Sequence, residues 1–253
     1  LPLVTGVQTC ALPIFAAYLS TEAGLRNGSI WANCMWLKGV VMKAHYNGLI
    51  PRNPFIQFHI SPNVKEREYL TEDELKAVMT HEFADSKLAY IRDIFIFASF
   101  TALSFVDIQE LTNDNIVEVN GEKWILSKRH KTKVAFQVKL LDIPLQIVER
   151  YRPMQKDNRI FPGLNYWSIC KPLKRMIREC GITKSISFHC SRHGFATLAL
   201  SKGMPIESVS RVLGHTNIVT TQLYAKITTQ KLDNDLTMFG DKLSKTFNGI
   251  TMS

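Results

Sequence analysis

Four side chains that suit phosphoryl transfer lie within one stretch of the chain, residues 185–226. They are His189, Arg192, His215 and Tyr224. Arginine presents a planar fork of donors that matches phosphate oxygens, and an imidazole can donate a hydrogen bond or move a proton. A tyrosine hydroxyl, with an ordinary pKa of about 10, needs activation or a strongly polarised target. Together these residues suit a reaction in which a tyrosine attacks a phosphodiester while cations hold the phosphoryl oxygens.

Tight turns separate the helical segments that carry these residues. His189 and Arg192 are three residues apart, a spacing that places both side chains on one face of a helix. Pro205 comes after a break in the pattern and predicts the first position of a new short helix. Gly214 predicts the end of that helix, and Tyr224 lies in a further helical pattern. These turns allow the four side chains to meet.

The ordered combination of His189-x-x-Arg192, Leu213-Gly214-His215 and Tyr224 resembles the signature of tyrosine recombinases, the phage-type integrases. The form is similar to that of mobile-element integrases from Bacteroides-like bacteria. The resemblance implies a mainly α catalytic domain with a small antiparallel three-stranded sheet, preceded by a partial, N-terminally truncated helical core-binding (SAM-like) domain. It also implies that the tyrosine attacks DNA and leaves a 3′-phosphotyrosine and a free 5′-OH, while His189, Arg192 and His215 surround the phosphate.

One position departs from the family pattern. The first sequence box of the family corresponds here to residues 101–107. In the family, the Thr that begins this box is usually followed by Gly, and an Arg comes three residues after the Thr. Here Ser104 occupies the position of that Arg. Loss of one donor to a developing oxyanion costs on the order of 100- to 1000-fold, so either another basic residue fills the gap or the enzyme is slow. Asp107 matches the acidic position of the family, whose side chain supports the basic residues of the active site. The alternative is that Asp107 is an ordinary exposed carboxylate at the end of a helix.

Residues 115–141 change to a period of two, which predicts the three-stranded sheet. Asn120-Gly121 is a type I′ hairpin signal, and the second turn, residues 128–133, is densely basic. The resemblance implies that a lysine of this hairpin is the general acid that protonates the leaving 5′ oxygen. Lys131 matches best and Lys133 is the runner-up. A cationic site should lower the pKa of such a lysine, which suits proton donation.

The composition favours a polyanionic partner. The net charge is +9 and the pI is near 9.3, which favours nucleic acid over a membrane surface. On charge alone, a basic soluble protein without such a partner is the alternative. The resemblance implies double-stranded DNA, a homo-oligomer (a tetramer on DNA), DNA-bending accessory proteins, no cofactor and no metal, in the bacterial cytoplasm on the nucleoid. We expect phosphate contacts from six cations, with solvated faces as the alternative: Lys38, Lys43, Arg129, Lys133, Lys174 and Arg175.

The five cysteines include no C-x-x-C pair and are odd in number. This pattern favours reduced thiols in the cytosol over a disulfide scaffold or a zinc ribbon. No apolar run reaches the length of about 18 residues that a transmembrane helix needs.

The chain divides by pattern into three segments. Residues 1–14 do not match the rest of the chain and are interpreted as a non-native leader, residues 15–60 as the partial core-binding domain, and residues 61–253 as the catalytic domain. Ser29 is expected to cap the second helix, and Thr71-x-x-Glu74 is a capping box. Residues 87–103 predict a buried helix, and residues 228–246 predict a last helix, which in the family often docks on a neighbouring protomer.

Three other functions compete with the recombinase. A type IB topoisomerase-like enzyme shares the chemistry but relaxes DNA. A metal hydrolase could use His189, His193 and His215, although the H-E-x-x-H glutamate is missing. A catalytically degenerate DNA-binding remnant is the third alternative, because the first-box arginine is absent.

Overall fold

The computed structural model describes residues 7–56, 58–61, 68–130, 133–155, 157–224 and 229–246. The chain forms two compact units, Leu1–Glu66 and Arg67–Ser253.

The first unit contains two helices, α1 (Val7–Thr21) and α2 (Asn27–Tyr46). Helix α1 begins within residues 1–14, which were interpreted as a non-native leader. Leu19, Ile30 and Cys34 form a small buried core. The prediction that Ser29 caps α2 is wrong, because the extended residue before the helix is Arg26, which makes no side-chain capping bond.

The second unit combines helices with one three-stranded sheet. The strands are β1 (Ile116–Val119), β2 (Glu122–Lys128) and β3 (Ala135–Lys139). The described helices are α3 (Glu72–Thr80), α4 (Ser86–Thr101), α5 (Phe105–Gln109), α6 (Asp142–Tyr151), α7 (Tyr166–Glu179), α8 (Cys190–Ser201), α9 (Ile206–Leu213), α10 (Val219–Gln222) and α11 (Thr229–Thr246).

The sheet has the predicted antiparallel order β1-β2-β3. Asn120 and Gly121 both have positive φ, 52° and 77°, which is the type I′ geometry that matches the twist of a tight hairpin. Ile125 pairs with Val138 across β2 and β3, and both side chains are buried together with Phe136. The alternation of inward and outward residues along β2 therefore sets which side chains of the next turn point inward.

Helix α4 is the centre of the core. It is buried along most of its length and packs against α6, α7 and α8, as its apolar sequence predicts. The capping box of α3 is also confirmed, since the Thr71 hydroxyl accepts the Glu74 N–H and the Glu74 carboxylate accepts the Thr71 N–H. Helix α4 ends at Ala102, whose φ of 56° turns the chain toward the first-box position.

Candidate active site

The four residues that carry the predicted chemistry converge from three consecutive helices. Arg192 lies in the first turn of α8 and His189 directly precedes that helix. His215 comes after the end of α9, and Tyr224 lies just beyond α10 rather than within a helix. Pro205 precedes α9 instead of occupying its first position. His215 interacts electrostatically with Arg192 and His189, and Arg192 interacts with Tyr224, so the four side chains belong to one site.

Arg192 is held by two backbone carbonyl groups. Its Nη1 donates to the carbonyl oxygen of Ala102 at 2.8 Å, and its Nη2 donates to that of Leu213. Burial and the nearby guanidinium of Arg129 lower the pKa of Arg192 to about 10. The side chain therefore remains a cation at neutral pH. Its two hydrogen bonds fix its orientation, and it is partly shielded from water.

Arg129 is the second guanidinium of the site. Arg129 was expected to contact DNA phosphate from the basic turn, but its side chain does not lie on the surface, since it is only 6% exposed. Its Nη1 donates to Asp107 Oδ2 at 2.7 Å, its Nη2 donates to the Val212 carbonyl oxygen at 2.5 Å, and its guanidinium carbon lies 4.0 Å from the centre of the Phe136 ring. Burial lowers the pKa of Arg129, and the Asp107 carboxylate opposes that shift.

Asp107 braces Arg129 from the first-box helix. Ser104 caps α5, and its hydroxyl donates to Asp107 Oδ2 at 2.7 Å, while the His130 N–H donates to Oδ1 at 3.1 Å. Burial raises the pKa of Asp107, but the hydrogen bonds from the His130 N–H, Ser104 and Arg129 outweigh burial and lower it overall. The carboxylate is therefore ionised at neutral pH and pairs with Arg129.

Both arginines also contact the carboxyl end of α9. The last carbonyl groups of a helix have no intrahelical partner and carry partial negative charge; here Val212 accepts from Arg129 and Leu213 accepts from Arg192. Gly214 ends the helix at this point with φ of +61°, as predicted. The helix end thus offsets part of the repulsion between the two guanidiniums.

Replacement of Gly214 should destabilise the protein more than its backbone angle alone requires. An added Cβ would lie 2.8 Å from Arg129 Nε and 3.0 Å from Arg129 Cγ. Gly181 has a similar φ of +74°, yet among the described residues nothing lies within 4 Å of its added Cβ. We expect Gly181→Ala to lower the free energy of unfolding by the left-handed strain alone, about 1–2 kcal/mol, and Gly214→Ala to lower it further. Urea denaturation measures both, and equal losses would contradict the expected displacement of Arg129.

His215 is a neutral imidazole at pH 7. Its Nδ1 lies 2.8 Å from the Thr221 hydroxyl oxygen. Burial lowers the pKa of His215 to about 4, with further contributions from Arg192, Arg129 and His189. A neutral imidazole carries one proton, so one ring nitrogen donates and the other accepts.

His193 contacts the tyrosine that is expected to be the nucleophile. Its ring centre lies 5.1 Å from that of Tyr224 and 4.5 Å from that of His189, and the side chain is buried. His193 was expected only as a ligand in the alternative metal site. Its i, i+4 spacing from His189 is the sequence signal that both side chains lie on one helical face. In the part of the chain that the structure describes, no group of three or more His, Cys, Asp or Glu side chains could hold a metal ion.

The remaining predicted contacts are lysines and one arginine on other elements. Lys131 is not among the described residues. Lys133 is exposed on the β2–β3 turn, and Lys174 and Arg175 are exposed on α7, where Arg175 pairs with Asp85 and Glu179. On α2, Lys38 is half-buried and Lys43 is exposed.

Fold and site together define a catalytic domain of the tyrosine recombinase class. The model of the Phage integrase family matches residues 68–231, and the chain belongs to this family. This confirms the resemblance and the predicted fold class. None of the helices described here is long and apolar enough to cross a membrane.

Relatives and solved structures agree with this assignment. The chain is 32% identical over 177 residues to tyrosine recombinase XerA of Pyrococcus horikoshii, an alignment that covers 64% of this chain and 58% of XerA. It is 25% identical over 229 residues to tyrosine recombinase XerC of Lactobacillus leichmannii, covering 85% and 77% of the two chains. The Tn1549 transposon integrase, solved in complex with a circular intermediate DNA, superposes with a TM-score of 0.79 at 18% identity, covering 93% of this chain and 86% of that one.

Proposed function

We propose that this chain is a site-specific recombinase that cleaves and rejoins double-stranded DNA through a 3′-phosphotyrosyl intermediate. The observation that carries the proposal is the convergence of two guanidiniums, the half-buried Arg192 and the buried Arg129, with a neutral His215 and the Tyr224 side chain. The relatives named as tyrosine recombinases support it. The similarity to the Tn1549 transposon integrase favours the integration or excision of a mobile element as the biological role.

The reaction proceeds in two transesterification steps. Tyr224 Oη attacks the scissile phosphorus, the bond from phosphorus to the 5′ oxygen breaks, and the leaving oxygen takes a proton from a general acid. Lys131 is the proposed acid, with Lys133 as the runner-up, and His189 orients the phosphate or takes the tyrosine proton. A 5′-OH of a second strand then attacks the phosphotyrosine and releases Tyr224. Each step exchanges one phosphodiester for another, so neither ATP nor a metal is required.

Arg129 supplies the charge that the first-box arginine would supply. Ser104 caps a helix and binds Asp107, and Asp107 in turn binds Arg129. The second guanidinium of the site is therefore that of Arg129 on the β2–β3 turn, and not one from the first box. Arg192 binds the non-bridging oxygens, and His215 donates to a phosphoryl oxygen.

Exposed cations would hold the DNA backbone. Lys133, Lys174 and Lys43 are exposed, and phosphate contacts of this kind position a duplex without reading its sequence. Arg175 would contribute less, because two carboxylates already neutralise it. The first unit, which carries Lys38 and Lys43, would act as part of the core-binding domain, in the cytoplasm on nucleoid DNA.

The last helix would join copies of the chain on DNA. Four apolar side chains of α11 recur at helical spacing and are 39–59% exposed: Leu232, Leu236, Phe239 and Leu243. The exposure of this apolar face supports its burial against a second protomer. Contacts of this kind would assemble the tetramer that exchanges strands.

A nicked suicide substrate tests the proposal. Cleavage of this substrate releases a short fragment, so the covalent complex cannot rejoin. We expect a protein–DNA adduct on a denaturing gel, formed in EDTA and without ATP, with the nucleotide located on the Tyr224 peptide by mass spectrometry. DNA binding without an adduct over a series of attachment sites would identify a degenerate remnant, and relaxation of a supercoiled plasmid without strand exchange would identify a topoisomerase-like enzyme.

A further inference from the structure

Thr221 joins the segment of the proposed nucleophile to His215. Its hydroxyl oxygen lies 2.8 Å from Nδ1 of His215, and its carbonyl oxygen accepts the backbone N–H of Tyr224 at 3.0 Å. The residue is fully buried. One side chain of α10 therefore contacts the imidazole, while the backbone of the same residue supports the tyrosine.

The direction of the Thr221–His215 hydrogen bond decides which imidazole nitrogen carries the proton. Within the described ranges, His215 Nδ1 is the only hydrogen-bond partner of the Thr221 hydroxyl. If Nδ1 donated, the hydroxyl proton would be buried without an acceptor, which is unfavourable. The hydroxyl therefore donates to Nδ1. Since the ring is neutral at pH 7, its own proton lies on Nε2.

We propose that Thr221 is a positioning residue that holds His215 as the Nε2–H tautomer, which makes Nε2 the atom that donates to a phosphoryl oxygen. The inference rests on the proposed function and adds to it a donor atom and the residue that selects it. Because the same residue binds the Tyr224 backbone, a shift of α10 would break the bond to the imidazole. Thr221 thus positions both the proposed donor, His215, and the proposed nucleophile, Tyr224.

Three substitutions separate this role from a general loss of packing. Thr221→Val keeps the shape of the side chain and removes the hydroxyl, whereas Thr221→Ser keeps the hydroxyl. Thr220→Val makes the same change at an exposed neighbour. We expect Thr221→Val to slow adduct formation by about 10- to 100-fold, the effect known for the loss of a hydrogen-bond partner that orients a metal-ligating histidine. Thr221→Ser and Thr220→Val should cleave close to the wild-type rate, and DNA binding, measured by fluorescence anisotropy, should be unchanged in all three.

Nitrogen-15 NMR of the histidine-labelled full chain measures the tautomer directly. We expect an unprotonated Nδ1 and a protonated Nε2 for His215, assigned by the loss of its signals in His215→Gln, and a mixture of tautomers in Thr221→Val. An Nδ1–H tautomer in the wild type, or Thr221→Val cleaving at the wild-type rate, would overturn the inference. A wild type that forms no adduct would overturn the proposed function instead, and the NMR result would still decide the tautomer.

Discussion

Replacing Tyr224 with phenylalanine is expected to abolish the covalent protein–DNA adduct while leaving DNA binding intact. The substitution removes only the hydroxyl that would attack phosphorus. The ring keeps its contact with His193, 5.1 Å between centres, and its packing against the small core of α8 and α9, so the fold should be preserved.

The measurement is adduct formation on the suicide substrate, with anisotropy for binding and thermal denaturation for the fold. Tyr166→Phe is the matched control, because it removes a hydroxyl from a 45%-exposed tyrosine at the start of α7. An adduct that persists in Tyr224→Phe would show that another side chain is the nucleophile. Loss of the adduct in both variants would point to an effect of the substitution on folding or DNA binding.

Replacing Arg129 with methionine is expected to slow adduct formation by on the order of 100- to 1000-fold, the usual effect of losing one group that stabilises a developing oxyanion. Arg129 brings a second guanidinium next to Arg192, and its charge lowers the pKa of both Arg192 and His215. Ser104 has no charge to replace it.

The same substitution also leaves Asp107 buried without its partner, and breaking a buried ion pair in this way costs about 3–5 kcal/mol of stability. A double variant separates the two effects. Asp107→Asn combined with Arg129→Met removes the uncompensated carboxylate, so stability should be partly regained while cleavage remains slow. Arg152→Met, an exposed cation paired with an exposed Glu149, controls for loss of one positive charge.

Stability is measured by urea denaturation and chemistry by single-turnover cleavage with saturating protein. A double variant that cleaves at the wild-type rate would show that Arg129 serves only to neutralise Asp107.

Local patterns in the sequence were sufficient for much of the fold. The capping box at Thr71, the hairpin at Asn120-Gly121 and the helix end at Gly214 each depend on residues adjacent in the chain, and the structure has all three. The starts of α2 and α9 were less well predicted, because Ser29 and Pro205 suit more than one position near a helix terminus. The family, too, was evident from the order and spacing of His189, Arg192, His215 and Tyr224.

The arrangement of the charges was decided by the tertiary structure. Arg129 lies in a run of exposed-looking cations and was interpreted as a phosphate contact, although continuing the alternation of β2 from Ile125 places it on the inward face. Its burial depends on Asp107, 22 residues away, and on the Val212 carbonyl, 83 residues away. Whether a cation is buried depends on the free energy of removing it from water against that of its partners. Those partners meet only when distant helices pack. The alternation of β2 therefore indicates the direction of the Arg129 side chain, but not its position beside Arg192 in a site where the first box has a serine.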